Sequence, residues 1–406
     1  MRIVFLTENF PPELNAAATR VFERAVYWVQ SGHRITVITC APNFPSGRVF
    51  EGYQNSWYRV EEMAGIRVVR VKTYIAPNEG VLRRSLDFLS FLFTGFLAGV
   101  VQARPDVVVS TSPQFFAAVA GWMVGVARHR PFVFELGDLW PSSIVAVGAM
   151  RPGLLLRLLE RFELFLYRRS AAVVALTNSF KKNLVGRGIP ADKIAVVING
   201  VDLPRYSPMA PDPEFSARWD LTGKFVVGYV GTLGMAHGLS NVLDTAQRLC
   251  DTNVCFFLIG PGAERETLID EAMRRGLSNV VVAPPQPKDA MPRVWSLCDV
   301  ALVHLKDSPV FSEVIPSKMF EAMAMGLPLL LVAPRGEASR IVEMEQAGLA
   351  IPPADPAAFS DAVRRLAADE AGRRRFAQNA LQAAGRYSRE RQAVDMMKVL
   401  ESVVNR

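Results

Sequence analysis

The sequence is poor in the residues that build disulfide frameworks and metal sites. It has four cysteines and four histidines in 406 residues. The cysteines form no Cys-x-x-Cys pair and no zinc-type spacing with the histidines, which predicts reduced, mostly buried thiols. An Asp-x-Asp pair, which commonly carries a divalent cation, is also absent. We therefore expect neither a metal nor another cofactor.

Targeting segments and long apolar runs are missing too. The chain opens directly into a strand-like run at residues 2–7, with Glu8 soon after, rather than into a signal peptide. The most apolar stretch, residues 86–101, is shorter than the about 20 residues that a membrane span needs. Half of the residues are hydrophobic and no low-complexity tract occurs. The composition therefore predicts a globular cytoplasmic protein of about two domains.

Positive charge is concentrated in the first half. Residues 1–200 contain 23 Lys/Arg and 14 Asp/Glu, a net charge of +9, whereas residues 201–406 contain 23 and 25, a net charge of −2. No nucleic-acid-binding motif and no basic run with interleaved aromatics occurs, so an anionic membrane or a phosphorylated lipid is the expected partner rather than nucleic acid.

Two segments are candidates for a peripheral membrane contact. Residues 86–101 are strongly apolar, and residues 154–169 place Arg157, Arg161 and Arg168 in one helical stripe opposite a row of leucines. The alternative for each is an ordinary domain helix that buries its apolar face and leaves its arginines in water.

Both halves of the chain begin with a strand, a loop and a helix. Short apolar strands then alternate with helices, which predicts an α/β protein with two doubly wound parallel sheets. The boundary is expected in the turn-rich segment 199–208, which gives domains 1–203 and 204–383. Ligands of such sheets bind at the carboxyl ends of the strands, so two facing sheets would form one cleft. The predicted strands are 2–7, 35–39, 68–73, 107–110, 132–135, 172–176 and 194–198, then 225–230, 254–259, 280–283, 300–304 and 329–332.

The segment 311–328 is the most informative part of the second half. It sets Glu313 and Glu321 eight residues apart, on either side of a helix start predicted at Pro316. Proline is favoured at the first helical position because the N–H it lacks would be unpaired there. Lys318 stands between the carboxylates, next to free N–H groups that attract anions. This arrangement suits a ligand with a diphosphate, a ribose diol and a sugar.

A glycine-rich turn follows the first strand of the second half. Gly231, Gly234 and Gly238 let the backbone approach phosphates closely, and the helix that follows offers N–H donors. Glycine is common in any strand-to-helix turn, so a purely structural role is the alternative. The presence of Lys318 and Glu321 in the same domain favours a binding role.

Asp138 is the candidate catalytic residue of the first half. It follows the predicted strand 132–135, at the end where catalytic groups lie in these folds, and its carboxylate could accept a proton from an attacking hydroxyl. The alternative is a helix cap before Pro141. Glu135, at the end of the strand itself, is expected to be structural.

The loop after the first strand is a candidate ligand-binding loop. Its small residues Ala16, Ala17 and Ala18, preceded by Asn15, leave room for a ligand against the backbone, and Arg20 follows them. The alternative is an ordinary loop that ends in a Thr19 helix cap.

Together these segments resemble the retaining family-4 glycosyltransferases with the GT-B fold. The likeness covers essentially the whole chain, and it is greatest with the branch that builds bacterial O-antigen, capsule and colanic-acid-type polysaccharides. Several motifs occurring together make the resemblance specific. They lie at residues 10–13, 42–47, 138–141, 198–202 and 316–321.

The resemblance implies two Rossmann-like domains facing across a cleft, with a last helix, about 384–406, that crosses back to the first domain. It also implies a retaining, metal-independent transfer of a sugar, an N-acetylated or deoxy hexose, from a UDP-sugar to a polyprenyl-diphosphate-linked saccharide. The reaction would take place at the inner face of the cytoplasmic membrane. Glu313 would approach the donor sugar, Glu321 would bind the ribose and Lys318 would meet the diphosphate. The implied set is Asp138 and Glu313 as catalytic residues, Gly231, Thr232, Gly234, His237, Gln286, Ser317, Lys318 and Glu321 at the donor, and Asn15, Ala16, Ala17 and Arg20 at the acceptor.

The sequence departs from the pattern of this family at four places. His237 stands in the glycine-rich turn where many relatives carry a basic residue. Gly137 replaces an arginine, Ser142 an acid and Asn15 a glycine. These departures concern acceptor and sugar specificity more than activity. Two other functions remain open, a GT-B nucleotide-sugar 2-epimerase and a non-catalytic scaffold subunit of a polysaccharide assembly complex.

Overall fold

The computed structural model divides the chain into two compact units, Met1–Asn199 with Arg389–Arg406 and Gly200–Ser388. The predicted boundary after residue 203 lies four residues beyond this division. The structure describes residues 1–13, 15–44, 46–75, 81–112, 114–139, 141, 153–353 and 355–406, without the side chains of 81–85. Trp140 and Ser142, both of interest in the sequence, lie outside the described residues.

Unit 1 contains a sheet of eight described strands. Their order is β3-β4-β2-β1-β5-β6-β7-β8, and every neighbouring pair is parallel except β3 with β4. The elements of this unit up to residue 199 are β1 (Arg2–Leu6), α1 (Ala16–Gln30), β2 (Arg34–Cys40), β3 (Tyr58–Met63), β4 (Ile66–Val71), α2 (Val81–Val100), β5 (Val107–Thr111), α3 (Phe115–Arg128), β6 (Phe132–Leu136), α4 (Leu154–Arg169), β7 (Ala172–Ala175), α5 (Asn178–Gly186) and β8 (Ile194–Val196).

Unit 2 contains a parallel sheet of six described strands in the order β11-β10-β9-β12-β13-β14. The central strands are buried on both faces, which explains their continuous apolar sequences. The elements are α6 (Pro213–Arg218), β9 (Phe225–Val230), α7 (Ser240–Arg248), β10 (Val254–Ile259), α8 (Arg265–Arg274), β11 (Val280–Ala283), α9 (Met291–Trp295), β12 (Val300–His304), α10 (Lys318–Ala324), β13 (Leu329–Val332), α11 (Glu337–Met344), β14 (Gly348–Ile351), α12 (Pro356–Ala368) and α13 (Glu370–Ala384).

The last helix, α14 (Arg389–Val404), belongs to unit 1 and begins five residues after the predicted start. It packs on α1, where the indole Nε1 of Trp28 donates to the carbonyl oxygen of Ala393 at 2.9 Å. Met396 and Leu400 enter the same core as the strand residues Phe5 and Val109. On the other flank, α3 contacts α2 and also packs its aromatic rings on those of α4.

The prediction of two doubly wound parallel sheets is confirmed, with one antiparallel exception. Strand β3 was not predicted, because its sequence is rich in charge and its side chains face solvent at the sheet edge. It pairs antiparallel with β4 across a turn in which Ala64 and Gly65 both have positive φ. The short strand β14, at the edge of the other sheet, was also missed.

Candidate functional site

The glycine-rich turn of residues 231–238 joins β9 to α7 and is held by the loops that follow two neighbouring strands. The amide of Leu233 donates to the carbonyl oxygen of Pro261, beyond β10, at 2.7 Å. The amide of Lys306, beyond β12, donates to the carbonyl oxygen of Ala236 at 2.9 Å. Because β10 and β12 flank β9, these bonds fix the turn at the carboxyl edge of the sheet, where ligands of such sheets bind.

Two glycines leave the turn without room for side chains. Gly231 has φ +137°, a region that only glycine adopts readily, and a Cβ there would lie 2.9 Å from Nζ of Lys318. A Cβ on Gly260, in the loop after β10, would lie 2.1 Å from the carbonyl oxygen of Gly231. Gly260 was not predicted as a site residue, although the glycines that follow strand 254–259 were a usable signal. The bare backbone of Gly231 therefore faces the lysine directly.

Lys318 is the first residue of α10, and its ammonium group is enclosed. Although part of the side chain is accessible, Nζ is buried and has no hydrogen-bond partner among the described residues. It lies 3.6 Å from the centre of the Tyr229 ring. Burial lowers the pKa of Lys318 to about 7, against the opposing effect of the nearby Glu321. An enclosed amine without acceptors suits an anionic ligand that would supply them.

Two histidines adjoin this amine. Nδ1 of His304 lies 2.6 Å from the carbonyl oxygen of His237. A carbonyl only accepts, so Nδ1 carries the proton and Nε2 is a free acceptor, buried without a partner among the described residues. Burial lowers the pKa of His304 to about 4 and, together with the charge of Lys318, that of His237 to about 3. At neutral pH both imidazoles are uncharged, so His237 can offer a hydrogen bond but not the charge of a basic residue.

Glu321 lies one turn inside α10. Its Oε2 accepts from the indole Nε1 of Trp295 at 3.4 Å. Trp295 was not predicted as a site residue from the sequence. Glu313 is half-buried and ends a one-turn 3-10 helix, Pro309–Glu313. The helix start was predicted at Pro316, but Ser317 occupies the N-cap position and α10 begins at Lys318.

The remaining predicted donor residues differ in their placement. The backbone carbonyl of Thr232 accepts from the Tyr229 hydroxyl at 2.8 Å. Thr232 itself is exposed at the turn. Gly234 accepts from the amide of His237 at 2.9 Å and closes the turn. Gln286 lies beyond the edge strand β11, two strands away from β9, so its role at the donor stays a prediction.

In unit 1, Arg20 is a buried member of an ion cluster. Arg24 makes two hydrogen bonds to the carboxylate of Glu135, at 2.6 and 2.9 Å, and Nε of Arg20 lies 3.4 Å from the same carboxylate. Arg20 also donates to the hydroxyl of Thr111 at 2.9 Å. Burial raises the pKa of Glu135, but the two guanidinium groups outweigh it and lower the pKa to about 2. The structural role expected for Glu135 is that of counter-ion to both arginines.

The same cluster explains why glycine stands before Asp138. A Cβ on Gly137 would lie 2.4 Å from the carbonyl oxygen of Ser112 and 2.9 Å from a guanidinium nitrogen of Arg20. The Arg20 side chain thus occupies the space that a side chain at position 137 would need. Asp138 itself is half-buried just beyond the end of β6, at the carboxyl edge of the sheet.

The small-residue loop is shorter than the sequence suggested. Helix α1 begins at Ala16, and Asn15 is its N-cap, with Oδ1 accepting from the amide of Ala18 at 2.9 Å. The alternative cap at Thr19 is therefore wrong. Ala16 and Ala17 are the first helical residues, where their small side chains keep the helix start open.

A buried carboxylate joins the motifs at residues 10–13 and 42–47. Oε1 of Glu13 accepts from the amides of Asn43 and Phe44, at 2.8 and 2.9 Å, and Oε2 accepts from Nδ2 of Asn9 at 2.7 Å. Nε2 of Gln114 donates to Asn9 in turn. These contacts order the loops at the carboxyl ends of β1 and β2.

The two candidate membrane segments both present apolar side chains to solvent. On α2 and just beyond it, Leu86, Leu89, Phe93, Leu97 and Val101 are exposed at spacings of three and four residues, which form one stripe of a helix. None of the described helices is both long and apolar enough to cross a membrane.

On α4 the exposed apolar residues are Leu154, Leu155, Leu158 and Phe162, beside the predicted arginines. Leu166, which follows on the same helix, is buried. The alternative in which α4 buries its whole apolar face is therefore wrong for the first half of this helix. Exposed apolar surface of this extent usually marks an interaction site.

Comparisons with known proteins agree with this architecture. Residues 15–200 match the family model of the glycosyl transferase 4-like domain, and residues 212–383 match that of the glycosyl transferases group 1. A protein named as a colanic acid biosynthesis glycosyl transferase, WcaI of Escherichia coli strain K12, is 27% identical over 80% of this chain and 82% of its own length. A GDP-mannose-dependent alpha-mannosyltransferase of Mycobacterium tuberculosis is 24% identical over 87% of this chain and 84% of its own.

Solved structures show the same fold. Sucrose-phosphate synthase from Thermosynechococcus elongatus has a TM-score of 0.79 at 16% identity and covers 99% of this chain and 98% of its own. Anabaena Alr3699/HepE in complex with UDP has a TM-score of 0.73 at 20% identity and covers 99% of this chain and all of its own. Since the two family models together span most of the sequence, the protein belongs to the family-4 type glycosyltransferases with the GT-B fold.

Proposed function

We propose that the protein is a retaining, metal-independent glycosyltransferase that moves a hexose from a UDP-sugar to a polyprenyl-diphosphate-linked saccharide. The observation that carries the proposal is the group of enclosed nitrogens at the glycine-rich turn. Nζ of Lys318, Nδ1 of His237 and Nε2 of His304 are buried and have no hydrogen-bond partners among the described residues. Unpaired buried polar atoms are costly, and a diphosphate with its sugar would pair them.

The proposed chemistry follows from where charge develops. The bond between the anomeric carbon and the diphosphate oxygen breaks, and a bond to the acceptor hydroxyl forms on the same face of the sugar. Protonated Lys318 and the amides of the turn stabilise the negative charge on the departing diphosphate. Glu313 orients the sugar, Glu321 holds the ribose, and Asp138 is the candidate acceptor of the hydroxyl proton.

The donor nucleotide and the pathway are supported by relatives. The name of the Escherichia coli relative refers to colanic acid biosynthesis, and we propose a role in surface polysaccharide assembly for this chain too. UDP is supported by the Anabaena structure that holds it, whereas the mycobacterial relative is named for GDP-mannose. A test must therefore include both nucleotides.

A lipid-linked acceptor is supported by the exposed apolar residues of α2 and α4 and by the positive charge of the first half. Such a surface would hold the enzyme at the inner face of the cytoplasmic membrane without inserting a span. The acceptor region would then lie in the unit that contacts the lipid.

The test is nucleotide release from a panel of UDP- and GDP-sugars, with and without polyprenyl-diphosphate-linked saccharides, in the presence of EDTA. We expect release of UDP that requires both substrates and survives EDTA, and a product with the anomeric configuration of the donor by NMR. GDP release, inversion or EDTA sensitivity would each overturn the corresponding part of the proposal. A changed sugar released without acceptor would indicate an epimerase, and donor binding without turnover would indicate a scaffold.

A further inference from the structure

A surface cavity of about 400 Å³ opens in unit 1 between the ends of α3 and α4. Its lining includes the apolar residues Trp122, Val126 and Phe132. It also includes the basic residues Arg130 and Arg169, together with His129. None of the described residues that line the cavity is acidic.

The two arginines of this cavity lack carboxylate partners in the described part of the chain. Nε of Arg130 is buried and makes no hydrogen bond there. The guanidinium carbon of Arg169, an exposed residue, lies 5.5 Å from the centre of the Phe165 ring. Guanidinium groups in the lining of a surface cavity suit an anion that accepts several hydrogen bonds, such as phosphate.

The position of the cavity separates it from the proposed reaction. Phe132 is the first residue of β6, whereas Asp138 lies two residues beyond the end of this five-residue strand. A strand of that length spans about 16 Å. The cavity therefore lies at the amino edge of the sheet, away from the carboxyl edge where the acceptor and its candidate base are expected.

The cavity also adjoins exposed apolar surface. Val126, one of the lining residues, is 59% exposed, and Val101, just beyond the end of α2, is 70% exposed. A guanidinium nitrogen of Arg128 donates to the carbonyl oxygen of Gln102 at 3.2 Å, which ties the ends of α2 and α3 together. A ligand in the cavity would thus have its anionic group on the arginines and its apolar part beside this surface.

We propose that this cavity binds the headgroup phosphate of an anionic phospholipid, with Arg130 and Arg169 on the phosphate and the glycerol and first acyl carbons against Trp122 and Val126. The inference deepens the membrane contact in the proposed function and rests on it. It adds a saturable lipid site to a general apolar and electrostatic attraction, which fixes how the unit is turned on the bilayer.

The test is calorimetric titration of the intact protein with dihexanoyl-phosphatidylglycerol below its micelle concentration. Monomeric lipid is used because a vesicle would add a surface potential that any arginine feels. We expect binding of one lipid and affinity lower by about tenfold in each of Arg130→Gln and Arg169→Gln. Dihexanoyl-phosphatidylcholine should bind more weakly, because its quaternary ammonium group offsets the charge of its phosphate. Arg157→Gln with Arg161→Gln on the first half of α4 is the matched control, and its affinity should change less than about twofold.

Three outcomes would overturn the proposal. Equal losses of lipid affinity in the control and in the cavity variants would mean that the lipid is held by general electrostatic attraction. Binding of inorganic phosphate or glycerol 3-phosphate as strong as that of the lipid would mean that the site serves a free phosphate. Unchanged lipid affinity in Ala171→Leu, which narrows the cavity and keeps both arginines, would place the lipid elsewhere. Lipid affinity is measured without sugar donor, so these results are independent of whether transfer occurs.

Discussion

Lys318 offers the sharpest test of the donor site, because its enclosure makes binding depend on protons. In the empty site its pKa is about 7, so at pH 8 about nine-tenths of the molecules hold a neutral amine. A diphosphate within contact distance raises the pKa of an ammonium group, by about 1 to 3 units for a nearby opposite charge. Donor binding above pH 7 must therefore take up a proton, and the affinity must fall as the pH rises.

The expected size of the effect follows from these two pKa values. Between pH 6 and pH 8, the dissociation constant of the UDP-sugar should rise about five- to tenfold. In the empty site the two neighbouring histidines do not titrate over this range, because burial lowers the pKa of His237 to about 3 and that of His304 to about 4. The ligand for this titration is a UDP-sugar rather than UDP, because the terminal phosphate of UDP would itself titrate near pH 6.

The assay is calorimetric titration at pH 6, 7 and 8 in two buffers of different ionisation enthalpy, which gives affinity and proton uptake together. Proton uptake at pH 8 should be about 0.4 to 0.9 per donor bound, for a bound pKa raised by about 1 to 3 units. Lys318→Met should bind the donor weakly and with no pH dependence over this range, while Lys306→Met, an exposed lysine near the same turn, should retain the dependence of the wild type. A wild-type affinity that stays within twofold from pH 6 to pH 8, with no proton uptake, would refute the assignment.

Four further predictions concern stability and the support of the site. Lys318→Met should stabilise the empty protein below pH 7 by up to about 5 kcal/mol, because it removes the cost of burying the ammonium group. The gain should shrink as the pH rises from 7 towards 10, where the folded wild type is already neutral, and thermal unfolding without ligand at several pH values measures this. Glu135→Gln should destabilise unit 1 by about 3–5 kcal/mol, because it leaves two buried guanidinium groups without a counter-charge, and denaturant unfolding of this variant beside the exposed-site control Glu62→Gln tests it. Gly260→Ala should weaken donor binding by at least about tenfold, because its Cβ would displace Gly231. Gly276→Ala is the control, since Gly276 has a positive φ but a Cβ there would meet nothing. It should lower stability by only about 1 kcal/mol and leave donor affinity unchanged. Trp295→Phe removes one hydrogen bond to Glu321, so it should raise KM for the donor by about two- to tenfold with kcat nearly constant. Steady-state kinetics tests this, and a fall in kcat instead of a rise in KM would contradict it.

The strands that could be predicted are those whose burial shows in the sequence as a continuous run of apolar residues. Strands 254–259, 280–283, 300–304 and 329–332 were predicted at their observed bounds, since their apolar runs are flanked by turn residues. Strand β3 could not be predicted in this way, because Tyr58–Met63 pairs along one edge only and keeps charged side chains in water. The start of α1 was missed because an asparagine cap followed by three alanines reads as a loop as easily as a helix.

For the donor site, the sequence indicated which residues to consider but not what they contact. Lys318 and Gly231 could be assigned to one domain from their spacing to strands. That Nζ of Lys318 lies over the Tyr229 ring depends on the packing of segments about 90 residues apart, and no local pattern encodes it. The same holds for His304, whose bond to the backbone of His237 sets its tautomer.

The proposed donor site and the ion cluster of unit 1 differ in how their buried positive charge is compensated. Arg20 and Arg24 are buried with Glu135 between them, so their charge is already compensated and their position is fixed before any ligand arrives. Lys318 is buried with only partial compensation from Glu321, and it responds by losing its proton rather than by gaining a partner. A lysine can do this because its pKa falls readily on burial, whereas an arginine stays charged. At pH 7 about half of the molecules therefore hold a neutral amine, and we expect a bound diphosphate to restore the full charge. The neutral amine avoids the cost of holding an unpaired ammonium group in an enclosed site.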